Sequence, residues 1–199
     1  MNKNKLSTKD VESKLNSFNY NGLEKPKINK GERGQMLELA LGIPNSSDLQ
    51  DLIDGELKTF TVGETIAVTQ IKHCLSEIID GGVSYEDSKV GKKLSQAIYV
   101  GFDRDNNFKK ATIFNKKKFP VHYKHLEADF EYISKRIREL FDCKEQLRTL
   151  NGPNKLLQIR TKASKSKNGF YQPLLYKGHQ LKDKYMAFYL RANFGKSIT

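Results

Sequence analysis

The stretch Asp51-Leu52-Ile53-Asp54-Gly55-Glu56-Leu57-Lys58-Thr59-Phe60, DLIDGELKTF, decides how the rest of the chain is read. Asp54-Gly55 marks a turn, and the run ELKTFTV behind it has the composition of a strand. Residues two apart on a strand point to the same face, so Glu56 and Lys58 present a carboxylate beside an ammonium. Asp48, Asp51 and Asp54 lie just upstream, each a candidate to supply a second carboxylate across a hairpin. Two carboxylates can hold a hard divalent cation through oxygen, and such a cation polarises a phosphodiester and lowers the pKa of bound water. The lysine can stabilise charge developing on the phosphoryl oxygens. On an exposed strand the same two residues also make an ordinary ion pair, so the neighbouring segments carry weight.

Working outward, the run RGQMLELAL before this stretch places Met36, Leu37, Leu39, Ala40 and Leu41 around all but one side of a helix over 33–41, with Glu38 on the polar side. Gly42, Pro44 and Asn45 stop it. Behind the stretch, TIAVTQI reads as a strand adjoining ELKTFTV in a central sheet, LI at 52–53 as a further β-type run, and AIYVGFD with KKATIFN as a hairpin over 97–115. Leu126, Phe130, Ile133, Ile137 and Phe141 recur at helical spacing and predict an amphipathic helix over 125–149, ended by Asn151-Gly152-Pro153. KLLQIRTK reads as a strand, and MAFYLRANF as a strand passing into a terminal helix or turn. Residues 1–29 are polar and lysine-rich, with Pro26 limiting them to one short helix bearing Val11, Leu15 and Phe18. They are expected to form an arm and connector, the ordered domain running from 30 to 199. Helices and strands in this succession indicate a mixed α/β fold.

The 199 residues carry 35 Lys and Arg against 23 Asp and Glu, a net charge of +12 with a pI near 9.5. Such a balance suits a polyanionic partner, nucleic acid above all, although a solvated lysine-rich surface would give the same count. No stretch has the apolar length of a membrane span or a signal peptide, so the expectation is a cytoplasmic protein with no membrane partner. Cys74 and Cys143 form no metal-ligand pattern, and His73, His122, His125 and His179 show no ligand or triad spacing. This argues against structural zinc and against histidine catalysis.

The ordered set NKGERGQMLELALG, DLIDGELKTF, SKVGKKLSQAIYV, LLQIRTKAS and AFYLRANF resembles the MutH family of DNA endonucleases, including its GATC-cutting restriction relatives. The likeness covers about residues 29–103 and 155–199. It implies a restriction-endonuclease-like fold, a central mixed β-sheet flanked by helices in two lobes around a DNA cleft. It also implies Mg²⁺ as cofactor, Glu56 as a metal ligand, Lys58 as the catalytic lysine, Glu38 as an active-site carboxylate and Lys93 as a supporting cation. Arg160 and Lys162 would lie near DNA, and Tyr189 would fall where the family reads the target adenine and its methylation. None of the three upstream aspartates has the family's spacing to Glu56. Hairpin geometry prefers Asp51 over Asp48 as the second metal ligand, because an even-numbered loop separates opposed residues by an odd count, and Asp54 belongs to the turn. The lysine-rich runs KKATIFNKKK and KASKSK could clamp phosphates.

The expectation that follows is a sequence-specific type II restriction endonuclease acting on double-stranded DNA, as a homodimer on its site and with a separate DNA methyltransferase as a further partner. The alternatives are a mismatch-repair strand nickase and a DNA-binding module that kept the fold without catalysis.

Overall fold

The computed structural model describes residues 5–23, 31–44, 48–162 and 169–199; the KASKSK run beyond Lys162, Pro26 and Asn45 lie outside the described residues. The chain is mixed α/β. Its first sheet places strand β1 (Glu56–Thr61) parallel to β3 (Gln96–Phe102), which pairs antiparallel with β4 (Phe108–Asn115). Its second sheet is antiparallel in the order β2 (Ile66–Gln70), β9 (Met186–Leu190), β6 (Leu157–Thr161), β5 (Leu150–Asn151). A small hairpin joins β7 (Leu174–Tyr176) to β8 (His179–Lys182). Among the described residues no helix is long and apolar enough to cross a membrane.

β1 and β2 are therefore not adjoining strands of one sheet, as the sequence suggested. Val62 extends the first ladder by one bond to the Phe102 carbonyl, and Gly63 then turns the chain at φ 87°, where a side chain would be strained. β2 consequently pairs with β9 in the second sheet. The run Leu52-Ile53 is not a strand either. Leu52 closes a tight turn on the Gly55 carbonyl at 2.9 Å and is buried, while Ile53 points to solvent. Gly55 is required there, because a Cβ would lie 2.6 Å from the Gln96 carbonyl oxygen.

Strand β3 alternates its side chains between two apolar clusters, as a strand buried on both faces must. Ile98, Val100 and Phe102 join Leu57 on one side; Ala97 and Tyr99 join Phe60 and the larger cluster on the other. The first side is covered by α1 (Thr8–Asn16) and α2 (Glu32–Leu41). Helix α1 begins at a capping box between Ser7 and Asp10 and buries Val11 and Leu15 as expected, yet it is no arm. Val11 is 0% exposed against the same cluster as Leu37 and Leu41 of α2, so residues 8–16 belong to the packed body.

The long helix α4 (Pro120–Asp142) starts and stops earlier than the predicted 125–149. Pro120 occupies its first turn, where a missing N–H costs nothing, and Lys144 at φ 56° lets Glu145 bond back to the Leu140 carbonyl and end it. Its Asp129 carboxylate, fully buried, accepts from the Leu156 and Leu157 amides at 2.8 Å each and fixes the start of β6. A separate short helix, α3 (Lys89–Ser95), leads into β3, and α5 (Ala192–Ile198) closes the chain after β9.

Replacing Leu15 with Ala should lower unfolding free energy by about 2–4 kcal/mol, measured by chemical denaturation, because a buried leucine loses its contacts and leaves a cavity. A loss below about 0.5 kcal/mol, typical of a surface change, would show α1 to be an appendage after all.

Candidate active site

The site is built at the first residue of β1. Glu56 is 1% exposed, and a buried carboxylate needs partners. Lys58, two residues on, donates to Glu56 Oε2 at 2.9 Å, the side-by-side placement expected of a strand. Lys93 from α3 reaches Glu56 Oε1 and the Leu49 carbonyl. Burial alone would raise the Glu56 carboxyl, but Lys58, a hydrogen bond with Asp51, and Lys93 together hold it below its ordinary value.

Asp51 arrives by a different route from the one predicted. It sits on no strand and opposes Glu56 in no ladder; the turn closed at Gly55 folds it back, so that its Oδ2 accepts from the Leu57 amide at 3.3 Å. Its carboxyl shares a hydrogen bond with Glu56 and is pushed up to about 7 by burial, by that bond, and by the negative charges of Glu56 and Glu38, Lys58 opposing. The other two aspartates are engaged elsewhere. Asp48 pairs with Lys5 at 2.7 Å, and Asp54 accepts from the Thr8 amide at 2.7 Å and from its hydroxyl at 2.8 Å, anchoring α1.

Glu38 comes from α2. Gly34, one turn earlier, faces β1 beside Glu38: a Cβ there would lie in ordinary contact with Thr59 Oγ1 at 3.4 Å and Glu38 Oε1 at 3.9 Å. Burial raises the Glu38 carboxyl, Lys58 lowers it and Glu56 raises it, which places Glu38 within electrostatic reach of both. The apolar side of α2 is narrower than the sequence suggested: Leu37 and Leu41 are buried, but Leu39 is 61% exposed.

Beside Lys58 opens a cavity of about 500 Å³ whose lining also includes Thr59, Thr61, Glu64, Thr65, Arg160 and Tyr189. Tyr189 pairs with Gln158 and Ala67, on the face of its sheet opposite the buried Phe188 and Leu190, so it is half-exposed rather than core. The Arg160 guanidinium lies 4.4 Å over the Tyr189 ring and donates to Thr65 Oγ1 at 2.9 Å. Lys162 is not in this cavity. It lines a second one, also about 500 Å³, with Lys93, Lys89 and His73.

One contributor was missed in the sequence. Arg33 is buried, donates to Asn106 Oδ1 at 3.0 Å and Thr61 Oγ1 at 2.8 Å, and lies 4.6 Å over the Phe102 ring, tying α2 to the end of β1. Its place in the polar first turn of α2, beside Glu32 and Gln35, gave no local signal of burial.

Among the described residues, no group of three His, Cys, Asp or Glu side chains stands ready-made around an ion position. What is present is an acidic pair, Asp51 and Glu56, joined through a proton, with Glu38 near enough to disfavour a second charge. Oxygen donors of this kind suit a hard divalent cation, which would take the place of that proton.

Asp51 keeps its proton to about pH 7 in the folded chain and loses it near 3.8 when unfolded, so its ionisation works against the fold increasingly between those values. Asp51→Asn should therefore raise the Tm of the metal-free protein by about 2–6 °C at pH 8, and by much less at pH 4.5. Equal shifts at the two pH values would contradict the shared-proton arrangement. Comparison of the chain with family models and with curated protein sequences gave no match, so a functional reading rests on this site and on the sequence pattern that builds it.

Proposed function

We propose that this chain is a Mg²⁺-dependent, sequence-specific endonuclease of double-stranded DNA. The observation that carries the reading is the gathering of Glu38, Asp51, Glu56 and Lys58, from a helix, a turn and a strand, beside a cavity that Arg160 and Tyr189 also line. The net charge of +12 suits the substrate. In this reading the first and second sheets form two lobes of a restriction-endonuclease-like fold with DNA between them.

Asp51 and Glu56 would hold the ion. A bound Mg²⁺ supplies polarisation of the phosphodiester and a lowered pKa for coordinated water. The chain's own residues do the rest. Lys58, fixed by its strand neighbour Glu56, offers its ammonium to the charge that grows on the phosphoryl oxygens. Glu38, its carboxyl raised by burial, would orient the attacking water or take its proton. Lys93 balances Glu56 from the opposite side. Arg160 and Tyr189 reach base edges while lysines neutralise phosphates. Two copies related by a twofold axis would cut both strands of a symmetric site in one encounter, so the reading includes a homodimer on DNA, and a host carrying such an activity would need a methyltransferase to protect its own sites.

The test is supercoiled plasmid with the purified chain and Mg²⁺. Linear fragments are expected; nicked circles alone would indicate a strand nickase, and unchanged plasmid would contradict the proposal. Lys58→Ala should lose cleavage by at least about 10²-fold while DNA binding stays within a few-fold, because the lysine serves the transition state more than the ground state. Asp48→Asn should cut at close to the wild-type rate, and inactivity of that variant would move the second metal ligand from Asp51 to Asp48.

A further inference from the structure

The second cavity is lined by Lys93, the lysine on Glu56 Oε1, as the first is lined by Lys58, the lysine on Oε2. Its hydrogen-bond donors come from three parts of the chain: the ammonium groups of Lys162 just past β6 and of Lys89 and Lys93 on α3, and the His73 ring after β2. Their mutual field is strong enough to be felt at the His73 ring, whose pKa is lowered by burial and then by Lys72, Lys89, Lys162 and Lys93 in turn. The acids facing this group are already engaged. Glu77 binds Lys89 at 3.4 Å, Asp48 binds Lys5 at 2.7 Å, and Glu56 is shared between Lys58 and Lys93. Among the described residues Lys162 has no ion-pair partner. Gln70 also lines this cavity.

We propose that this cavity is a backbone-phosphate site, in which Lys162, Lys89 and His73 hold a phosphate of the DNA strand away from the one being cut. The proposal rests on the nuclease reading. A concave, cationic, donor-rich recess with its own carboxylates already paired selects a phosphate oxyanion rather than a base, and carries no sequence information. Lys93 belongs to both sites, so a phosphate seated here draws on the same ammonium that steadies Glu56. His73 is exposed and bonded to Lys89 only through its backbone carbonyl at 2.8 Å, so its phosphate-facing side chain can be changed without removing that bond.

The experiment measures binding of wild type, His73→Glu, His73→Lys and Gln146→Glu to a short duplex, in Ca²⁺ and across 50–200 mM salt. His73→Glu should weaken binding about 10-fold, and His73→Lys should tighten it and steepen the salt dependence by close to one phosphate contact. Gln146→Glu, the same added negative charge on the exposed segment after α4, should stay within 2-fold. Thermal melting confirms that each variant is folded; a purely structural role for His73 would not reverse sign between Glu and Lys. If wild type binds DNA and both His73 variants match it, this site is overturned while the nuclease reading stands. The site is likewise overturned if Gln146→Glu weakens binding as much as His73→Glu. If wild type binds no duplex at any salt, both fall. Titration with inorganic phosphate provides the last arm: loss of a phosphate-induced melting shift in His73→Glu with unchanged duplex affinity would assign the recess to a free anion and overturn its place on the DNA.

Discussion

Glu56 is a carboxylate with almost no water around it, and the rest of the site follows from the need to keep it charged. Leaving such a group buried and unpaired would cost several kcal/mol, so each of its oxygens must find a cation or a proton. Lys58 supplies one from the same strand, two residues away. Lys93 supplies another, and this requires α3 to end directly before β3, which in turn pairs parallel to β1. Asp51 supplies a proton, and this requires the tight turn at Gly55. The parallel pairing, the short helix and the turn all converge on this one side chain.

Such a cluster is poorly optimised for stability alone. Burial first, and then the hydrogen bond and charges of Glu56 and Glu38, drive Asp51 up to about 7, when an apolar residue in its place would remove both the desolvation and the repulsion. Strain of this kind accumulates where chemistry needs it. The two cavities differ in their linings. One carries Arg160 and Tyr189, with a guanidinium stacked on an aromatic ring and hydroxyls around it, a surface suited to base edges. The other carries lysines and a histidine, a surface suited to phosphate.

Much of this was legible in the sequence where local rules apply. The period of two on ELKTF put Glu56 beside Lys58; the period near 3.6 found the buried stripe Leu126, Phe130, Ile133 and Ile137; the Gly42 stop ended α2. Misreadings arose where tertiary pairing overrode them. ELKTFTV and TIAVTQI are neighbours in sequence, yet the left-handed turn at Gly63 sends them to different sheets, and no local pattern shows which partner a strand will choose. Asp51 shares a hydrogen bond with Glu56 while Asp48 and Asp54 pair elsewhere, and the hairpin that the spacing suggests is absent: a turn, not a ladder, carries Asp51 to Glu56. The polar composition of the N-terminal segment suggests an arm, but a helix needs only the narrow stripe of Val11 and Leu15 to dock. Arg33 was hidden for a related reason, since its partners Thr61 and Asn106 lie 28 and 73 residues away.

The central claim is that the pair Asp51 and Glu56 is a divalent-metal site. Its most direct test is the binding of Mn²⁺, followed by electron paramagnetic resonance at pH 8 in the presence of a short duplex, for wild type and Glu56→Gln. The expected result is an ion bound by wild type and lost, or weakened at least about 10-fold, in Glu56→Gln while the duplex remains bound. Equal Mn²⁺ binding by the two proteins would contradict the claim and leave Glu56 as no more than a buried partner for its lysines.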